Sequence, residues 1–255
     1  MTNSGIHLGG TARSAEDVKS LYNLGLQFAE IPITNPQKFS NLLKEYKDLK
    51  DRLGIYYLCH GPREGDPNDM RGLEEVYLPK IFETLPLMTE LGMPLLTLHL
   101  WFDSRFVKEE VITFKIGLLR HIIKKARDSE ITVCVENLSE TASHMVTPFT
   151  DLPLLNLTLD VGHAQLLSET NTSYGFIERY PERIKHVHLH DNKGGNSYRD
   201  DLHLLPGEGI VDFEKVFGKL KEMNYDRTIT LELTPSEIEK CLRDVKECLS
   251  RSGLE

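Results

Sequence analysis

Short apolar runs alternate with amphipathic segments along the whole chain of 255 residues. The apolar runs are short and rich in aliphatic residues, which is typical of buried strands. The segments between them carry apolar residues at helical spacing and predict helices, among them 14–24 with Ser14 as its cap, 36–51 and 73–91. Eight runs predict strands: GIHL, GLQFAEIPI, GIYYLCH, PLLTLHLWF, ITVCVE, LLNLTLD, IKHVHLH and TITLEL.

The order of these elements predicts the fold class. Strands that alternate with helices form parallel sheets, because each helix returns the chain to the same end of the sheet. Eight such repeats, with no linker and no break in composition, predict a closed (β/α)8 barrel of the α/β class. We therefore expect one TIM barrel domain that spans residues 1–255.

Composition and charge narrow the environment in which the protein works. Hydrophobic residues make up 40% of the chain and charged residues 27%, which supports a sizeable core. The formal net charge of −9 provides no general attraction to nucleic acid or to an anionic membrane. The four cysteines lack paired-motif spacing, and we see neither a leader pattern nor an apolar run of membrane length. We expect a cytoplasmic protein with reduced thiols.

A histidine or a carboxylate follows or closes most of the predicted strands. A buried charge is costly unless it is paired or bound to a metal, so this recurrence indicates one shared site. In a TIM barrel the carboxyl ends of the strands form a single rim around a pocket. The candidate metal ligands are His60, His99, Glu136, Asp160, His163, His188, Asp201, His203 and Glu232. Imidazole and carboxylate ligands favour Zn, with Mn or Fe as alternatives, and this set is large enough for two or three divalent ions.

Other residues near the predicted rim have more than one interpretation. Lys193 follows the seventh strand. Either it neutralises a phosphate or an alkoxide in the site, or it is a solvated loop lysine. Trp101 shares strand parity with His99 and either lines the pocket or packs beneath a loop. We expect His186 to lie in the core, whereas His190 is a candidate contact to a metal ligand or to substrate.

The chain resembles the xylose isomerase-like TIM barrel superfamily, and its metal-ligand set is most similar to the endonuclease IV branch, the family 2 AP endonucleases. The matching pieces run through the whole chain: HGP at His60, LHL at His99, VEN at Glu136, LDVGHA at Asp160, HLHDNK at His188, DLH at Asp201 and LEL at Glu232. The resemblance implies a first ion held by His60, His99 and Glu136. It implies that Glu136 bridges to a second ion, held also by Asp160, His188 and Glu232. A third ion would be held by His163, Asp201 and His203.

Two loop features depart from the DNA-acting members of this branch. The segment HGPREGDPNDM carries Arg63 and then acidic residues, where those members have an aromatic residue. The segment GLQFAEIPI places Glu30 where sugar-processing members often carry a carboxylate, although a salt bridge at the barrel mouth would also explain it. Both departures favour a small sugar or phosphorylated substrate over duplex DNA.

Two enzymatic functions follow from these observations, with a non-catalytic metal-binding protein as a third possibility. We interpret the chain first as a divalent-metal-dependent hydrolase of phosphoester bonds, in which Glu136 holds a bridging water. The alternative is a metal-dependent isomerase or epimerase of a sugar or sugar phosphate, in which Glu136 and Glu232 transfer protons. The ligands beyond the four that an isomerase needs favour the hydrolase, whereas the loops favour the isomerase.

Overall fold

The computed structural model describes residues 5–254. Residues 1–4 and 255 of the predicted domain lie outside this part. The start of the N-terminal segment, in which we expect no leader, is therefore also outside it. Eight parallel strands pair in chain order and the last pairs with the first, so the sheet closes into the predicted TIM barrel. The strands are β1 His7–Thr11, β2 Phe28–Pro32, β3 Tyr56–His60, β4 Leu95–Leu98, β5 Thr132–Glu136, β6 Asn156–Asp160, β7 Ile184–Leu189 and β8 Thr228–Leu231.

Helical segments connect successive strands. They are α1 Ala15–Asn23, α2 Pro36–Phe39, α3 Leu43–Leu53, α4 Met70–Gly72, α5 Leu78–Leu91, α6 Glu109–Arg127, α7 Val146–Asp151, α8 Ser173–Arg179, α9 Phe213–Glu222 and α10 Pro235–Arg251. The predicted cap of α1 is confirmed, because the Ser14 hydroxyl accepts a hydrogen bond from the backbone N–H of Asp17 at 3.1 Å. Within residues 5–254, no helix combines the length and the apolar character needed to cross a membrane.

Two predicted helices are less regular than their patterns indicate. The helix predicted over 36–51 is divided by a 3₁₀ turn at Ser40–Leu42, so that α2 and α3 are separate elements. The helix predicted over 73–91 starts earlier, at α4, and contains a π-helical segment at Leu73–Tyr77. In both cases apolar residues recur at helical spacing through the irregular segment, so periodicity alone does not reveal it.

The lower interior of the barrel is apolar. Phe28, Leu58, Leu95 and Cys134 form a small buried cluster toward the amino ends of the strands. Gly9 leaves the space that the Phe28 ring occupies, because a Cβ at this position would approach the ring to 2.3 Å. Cys134 faces the barrel interior as part of this layer, which lies below the candidate ligands.

The next layer up is polar, and its residues Thr97, Thr158, His186 and Thr230 are fully buried. The hydroxyls of Thr97 and Thr158 lie 2.8 Å apart across the interior. Nε2 of His186 lies 3.0 Å from the hydroxyl of Thr230, and its Nδ1 lies 2.7 Å from the hydroxyl of Thr228. His186 is therefore a core histidine with hydrogen-bond partners, as expected. Burial requires such pairing, since an unpaired polar group in the interior costs free energy.

The long loop after β7 is organised around the buried carboxylate of Asp191. One carboxylate oxygen accepts hydrogen bonds from the backbone N–H groups of Gly207 and Gly209, both at 2.8 Å. The other oxygen accepts from Asn192 at 2.8 Å and from Val211 at 3.0 Å. Position 209 has to be glycine, because a Cβ there would lie 2.2 Å from the carboxylate.

This network anchors the loop to the top of the barrel. Residues Asp201 and His203 lie between the two ends of the clamped segment, and Leu204 pairs with the backbone of Asp191 in an antiparallel bridge. The position of both candidate ligands therefore depends on Asp191, which lies outside the candidate ligand set.

We predict that Asp191→Asn lowers the free energy of unfolding by about 3 kcal/mol, because the amide nitrogen replaces an oxygen that accepts two backbone N–H groups. Chemical denaturation followed by circular dichroism measures the difference. Asp48→Ala, at an exposed aspartate, is the control and should leave the denaturation midpoint unchanged. Equal stability of Asp191→Asn and wild type would show that the clamp does not hold the loop.

Candidate metal centre

The nine candidate ligands converge at the carboxyl end of the barrel. They occupy the ends of β3 to β8 and the loops that follow, because alternation along a strand sends every second side chain inward. Six of them line one cavity of about 710 Å³: His60, His99, His163, Asp201, His203 and Glu232. The cavity opens between the loops that follow β1, β2, β3 and β8, and its size is that of small-molecule sites.

Four ligands surround one point, and we call them the metal tetrad: Glu136, Asp160, His188 and Glu232. Their ligand atoms all lie within 4.8 Å of one another. Nδ1 of His188 lies 3.2 Å from Oε1 of Glu232 and 3.4 Å from Oε2 of Glu136. A tetrahedral ion with bonds near 2.0–2.1 Å separates its ligand atoms by about 3.3–3.4 Å, so these spacings suit a divalent ion.

The orientation of these atoms supports the same conclusion. Nδ1 of His188, Oε1 of Glu136 and Oε2 of Glu232 are buried and have no hydrogen-bond partner within the described chain. These side chains therefore lie close to one another, but the angles at these atoms do not suit hydrogen bonds. Buried polar atoms are normally paired, so Nδ1 of His188, which approaches Oε1 of Glu232 and Oε2 of Glu136 without bonding either, indicates a cation as its partner.

A second group lies on the β3 and β4 side of the metal tetrad. Nε2 of His60 and Nε2 of His99 are 3.1 Å apart. They lie 3.3 Å and 2.9 Å, respectively, from Oε2 of Glu136. The structure thus brings together the three residues predicted to hold a first ion, and it places Glu136 between this group and the metal tetrad.

A third group combines the loop residues with a histidine that the sequence did not identify as a metal ligand. Oδ2 of Asp201 lies 3.2 Å from Nε2 of His163 and 3.1 Å from Nε2 of His203. His190 joins these three within the same 4.8 Å limit, and its ring stacks on that of His203 at 4.0 Å. Gly162 leaves room for His190, because a Cβ there would lie 2.2 Å from the ring. The alternation in HVHLH directs His190 inward, and this pattern is the feature of the sequence that could have identified His190 as a member of the group.

The excess of buried carboxylates gives the site a strong affinity for positive charge. Burial lowers the pKa of His188, but the charges of Glu232 and Glu30 help to hold it well above its usual value. Burial also lowers the pKa of His203, yet the hydrogen bond to Asp201 raises the pKa to about 9. Protons on these rings and divalent cations compensate the same negative charge, so the two compete for the site.

Glu30 lies beneath the metal tetrad and is paired with two histidines. Its side chain is 1% exposed, and Oε2 lies 3.0 Å from Nε2 of His188 and 3.4 Å from Nε2 of His186. Glu30 thus forms ion pairs, as the salt-bridge alternative predicted, and it lines the cavity from below. Its partners are two histidines of the barrel interior.

The remaining candidates lie farther from the ligands. Lys193 is exposed and is absent from the described residues that line the cavity. Trp101 stacks on Phe106 at 4.8 Å and donates a hydrogen bond from Nε1 to the Ser139 hydroxyl at 2.7 Å, so it packs between its own loop and the loop that follows β5. Arg63 is exposed and lines the cavity.

The sequence is similar to several known proteins. Over 207 residues it is 28% identical to an uncharacterized protein of Methanocaldococcus jannaschii, a match that covers 74% of this chain and 68% of that protein. Over 96 residues it is 34% identical to inosose dehydratase of Clostridium beijerinckii, and this match covers 32% of each chain.

Solved structures share the whole barrel. A D-tagatose 3-epimerase-like protein matches with a TM-score of 0.81 and 22% identity, over 96% of this chain and 98% of the other. D-psicose 3-epimerase of Clostridium cellulolyticum H10 matches with a TM-score of 0.72 and 16% identity, over 96% and 98%. At these identities the similarity shows the fold.

The family is established by a sequence model described as xylose isomerase-like TIM barrel, which matches residues 18–251. This match begins within α1 and ends with α10, so it includes every candidate ligand. The chain belongs to the xylose isomerase-like TIM barrel family.

Proposed function

We propose that this protein is a metal-dependent isomerase or epimerase, which moves a proton at a carbon next to the carbonyl of a small sugar or sugar-like polyol. The observation that carries the proposal is the metal tetrad, in which the unpartnered Nδ1 of His188 lies close to the carboxylates of Glu136 and Glu232, beside a cavity of small-molecule size that Glu232 lines. The names of the similar proteins, which refer to D-tagatose, D-psicose and inosose, support a carbohydrate substrate. They do not support the phosphoester hydrolase that the ligand count favoured.

Glu232 is placed to accept the proton. Its Oε1 lies 3.2 Å from Nδ1 of His188, within the metal tetrad, whereas its Oε2 has no hydrogen-bond partner in the described chain. One oxygen can therefore bind a divalent ion, which polarises a substrate carbonyl when bound. The C–H bond next to that carbonyl breaks, Oε2 of Glu232 takes the proton, and the electron pair moves toward the carbonyl oxygen.

Glu136 supplies the second carboxylate for the return of a proton. Its side chain is fully buried, and Oε1 lies 3.0 Å from Nδ1 of His163, without a hydrogen bond between them. A proton returned to the opposite face of the same carbon inverts that centre, and one returned to the neighbouring carbon moves the carbonyl. The proposal requires that Glu136 and Glu232 act on the same substrate.

We predict that the metal-loaded protein exchanges a carbon-bound hydrogen of its sugar substrate with solvent deuterium. A panel of ketoses, sugar phosphates and inososes in D₂O, followed by NMR, would identify the substrate. Glu232→Gln should slow the exchange by about 10²–10⁴-fold, because the amide cannot accept the proton. Glu237→Gln, which removes another carboxylate of the same cavity, is the matched control and should exchange at the wild-type rate. Absence of exchange by the wild type with every sugar, loaded with Mn, Co or Zn, would refute the proposal.

Hydrolysis of a phosphoester is the second candidate, and the two further ligand groups favour it. A single ion is sufficient to polarise a carbonyl, so proton transfer leaves the group of His163, Asp201 and His203 without a direct role. A phosphoester hydrolase uses additional ions to stabilise the attacking and the leaving oxygen. This observation makes the third group the part of the site that distinguishes the two reactions.

We predict that the double variant Asp201→Ala/His203→Ala retains an ion at the metal tetrad and retains sugar proton exchange. Elemental analysis should show fewer metal equivalents than in the wild type. Both proteins should be assayed on the sugar panel, on simple phosphodiesters and on abasic-site DNA. A wild type that hydrolyses a phosphodiester, an inactive double variant and no sugar exchange by either protein would establish the hydrolase instead.

A further inference from the structure

We propose that Glu30 is a positioning residue that fixes the orientation and the protonation pattern of the metal ligand His188. The inference rests on the proposed metal tetrad, and it assigns a role to a buried carboxylate that the proton-transfer steps do not use. Glu30 lies in β2, two residues before its end, whereas the ligand that it contacts lies in β7. The closed barrel brings the two together.

The two nitrogens of the His188 ring face different partners. Nδ1 faces the metal tetrad, with Oε1 of Glu232 at 3.2 Å. Nε2 faces the carboxylate of Glu30, at 3.1 Å from Oε1 and 3.0 Å from Oε2. A carboxylate accepts hydrogen bonds, so Nε2 carries the hydrogen and donates it to Glu30. Nδ1 then keeps its lone pair directed at the metal tetrad, as a metal-binding imidazole requires.

Glu30 is itself held in place. Its side chain is 1% exposed, and within the described chain its ion-pair partners are His186 and His188 alone. The backbone carbonyl of Glu30 accepts a hydrogen bond from the N–H of Ala12 at 2.9 Å, which anchors its strand to β1. His186, which lies 3.4 Å from the Glu30 carboxylate, is in turn bonded to two threonine side chains, and this network supports the carboxylate from below.

The same three residues could themselves be considered as a metal site, since Glu30, His186 and His188 lie within 4.8 Å of one another. An ion at this lower position would bind His188 through Nε2. The ring would then either leave the metal tetrad or lose both of its protons to serve two ions. The hydrogen bond to Glu30 requires neither change, so the geometry favours positioning over a separate ion.

The test measures metal affinity in three variants of the full chain. Apo proteins are titrated with Co²⁺ or Zn²⁺ against a chromophoric chelator, and the visible spectrum of the Co²⁺ form reports its coordination. Glu30→Ala should bind about 10–100-fold more weakly than wild type, the usual effect of losing such a partner of a ligand. Glu30→Gln keeps an acceptor oxygen for Nε2–H and should lose less. Glu237→Gln, in the same cavity, should bind as tightly as wild type.

The outcomes separate positioning from a structural role and from the proposed function. Thermal unfolding of the apo forms identifies a variant that is merely destabilised. If Glu30→Ala is destabilised, the metal affinity of the nearly isosteric Glu30→Gln tests the inference instead. Wild-type affinity in each folded Glu30 variant would overturn the inference. A variant that loses one equivalent of metal but binds the remaining ions with unchanged affinity would also overturn the inference, because Glu30 would then be a metal ligand. Weakened metal binding in Glu30→Ala, with no sugar exchange by the wild type, would retain the inference while refuting the proposed function.

Discussion

The upper half of this barrel is organised by the cost of burying negative charge. Glu30, Glu136 and Asp160 are each at most 2% exposed, and all three approach the rings of buried histidines. A buried ion costs several kcal/mol unless opposite charge and hydrogen bonds compensate it. The histidines supply part of that compensation, and the unpartnered Nδ1 of His188 supports a cation as the rest of it. The other features of this end of the barrel follow from that requirement.

The barrel separates stability from chemistry along its axis. Phe28 and Leu58 belong to an apolar layer toward the amino ends of the strands. Above it, buried threonines and His186 form a layer of paired polar side chains, and the candidate ligands lie above both layers. Such a division is general in TIM barrels, where the carboxyl ends of the strands carry function. Here the polar layer also connects to the site, because Glu30 reaches from this layer to the His188 ring. The interior therefore supports the metal ligands as well as the fold.

The sequence predicted the barrel and the convergence of the nine ligands because both depend on local patterns. Strand alternation and strand-end position are sufficient to direct Glu136, Asp160 and His188 to one rim. The role of Glu30 was not predictable in this way, since its contact with His188 joins residues 158 positions apart. That contact depends on barrel closure and on the register of all the strands between β2 and β7. His190 required knowledge of the loop as well, because its partner His203 is placed by the Asp191 clamp.

The arrangement of the ligands distinguishes the three groups better than their number does. Nine ligands suggested several catalytic ions, but the third group has His190 as a fourth protein member beside His163, Asp201 and His203. Polar atoms of this group already have partners, because Oδ2 of Asp201 lies 3.2 Å from Nε2 of His163 and Nε2 of His190 lies 3.1 Å from Oδ1 of Asp160. The ring nitrogens of this group are thus paired within the described chain. The metal tetrad differs, because Glu232 lines the cavity and has an unpartnered oxygen. This contrast supports chemistry at one ion rather than three.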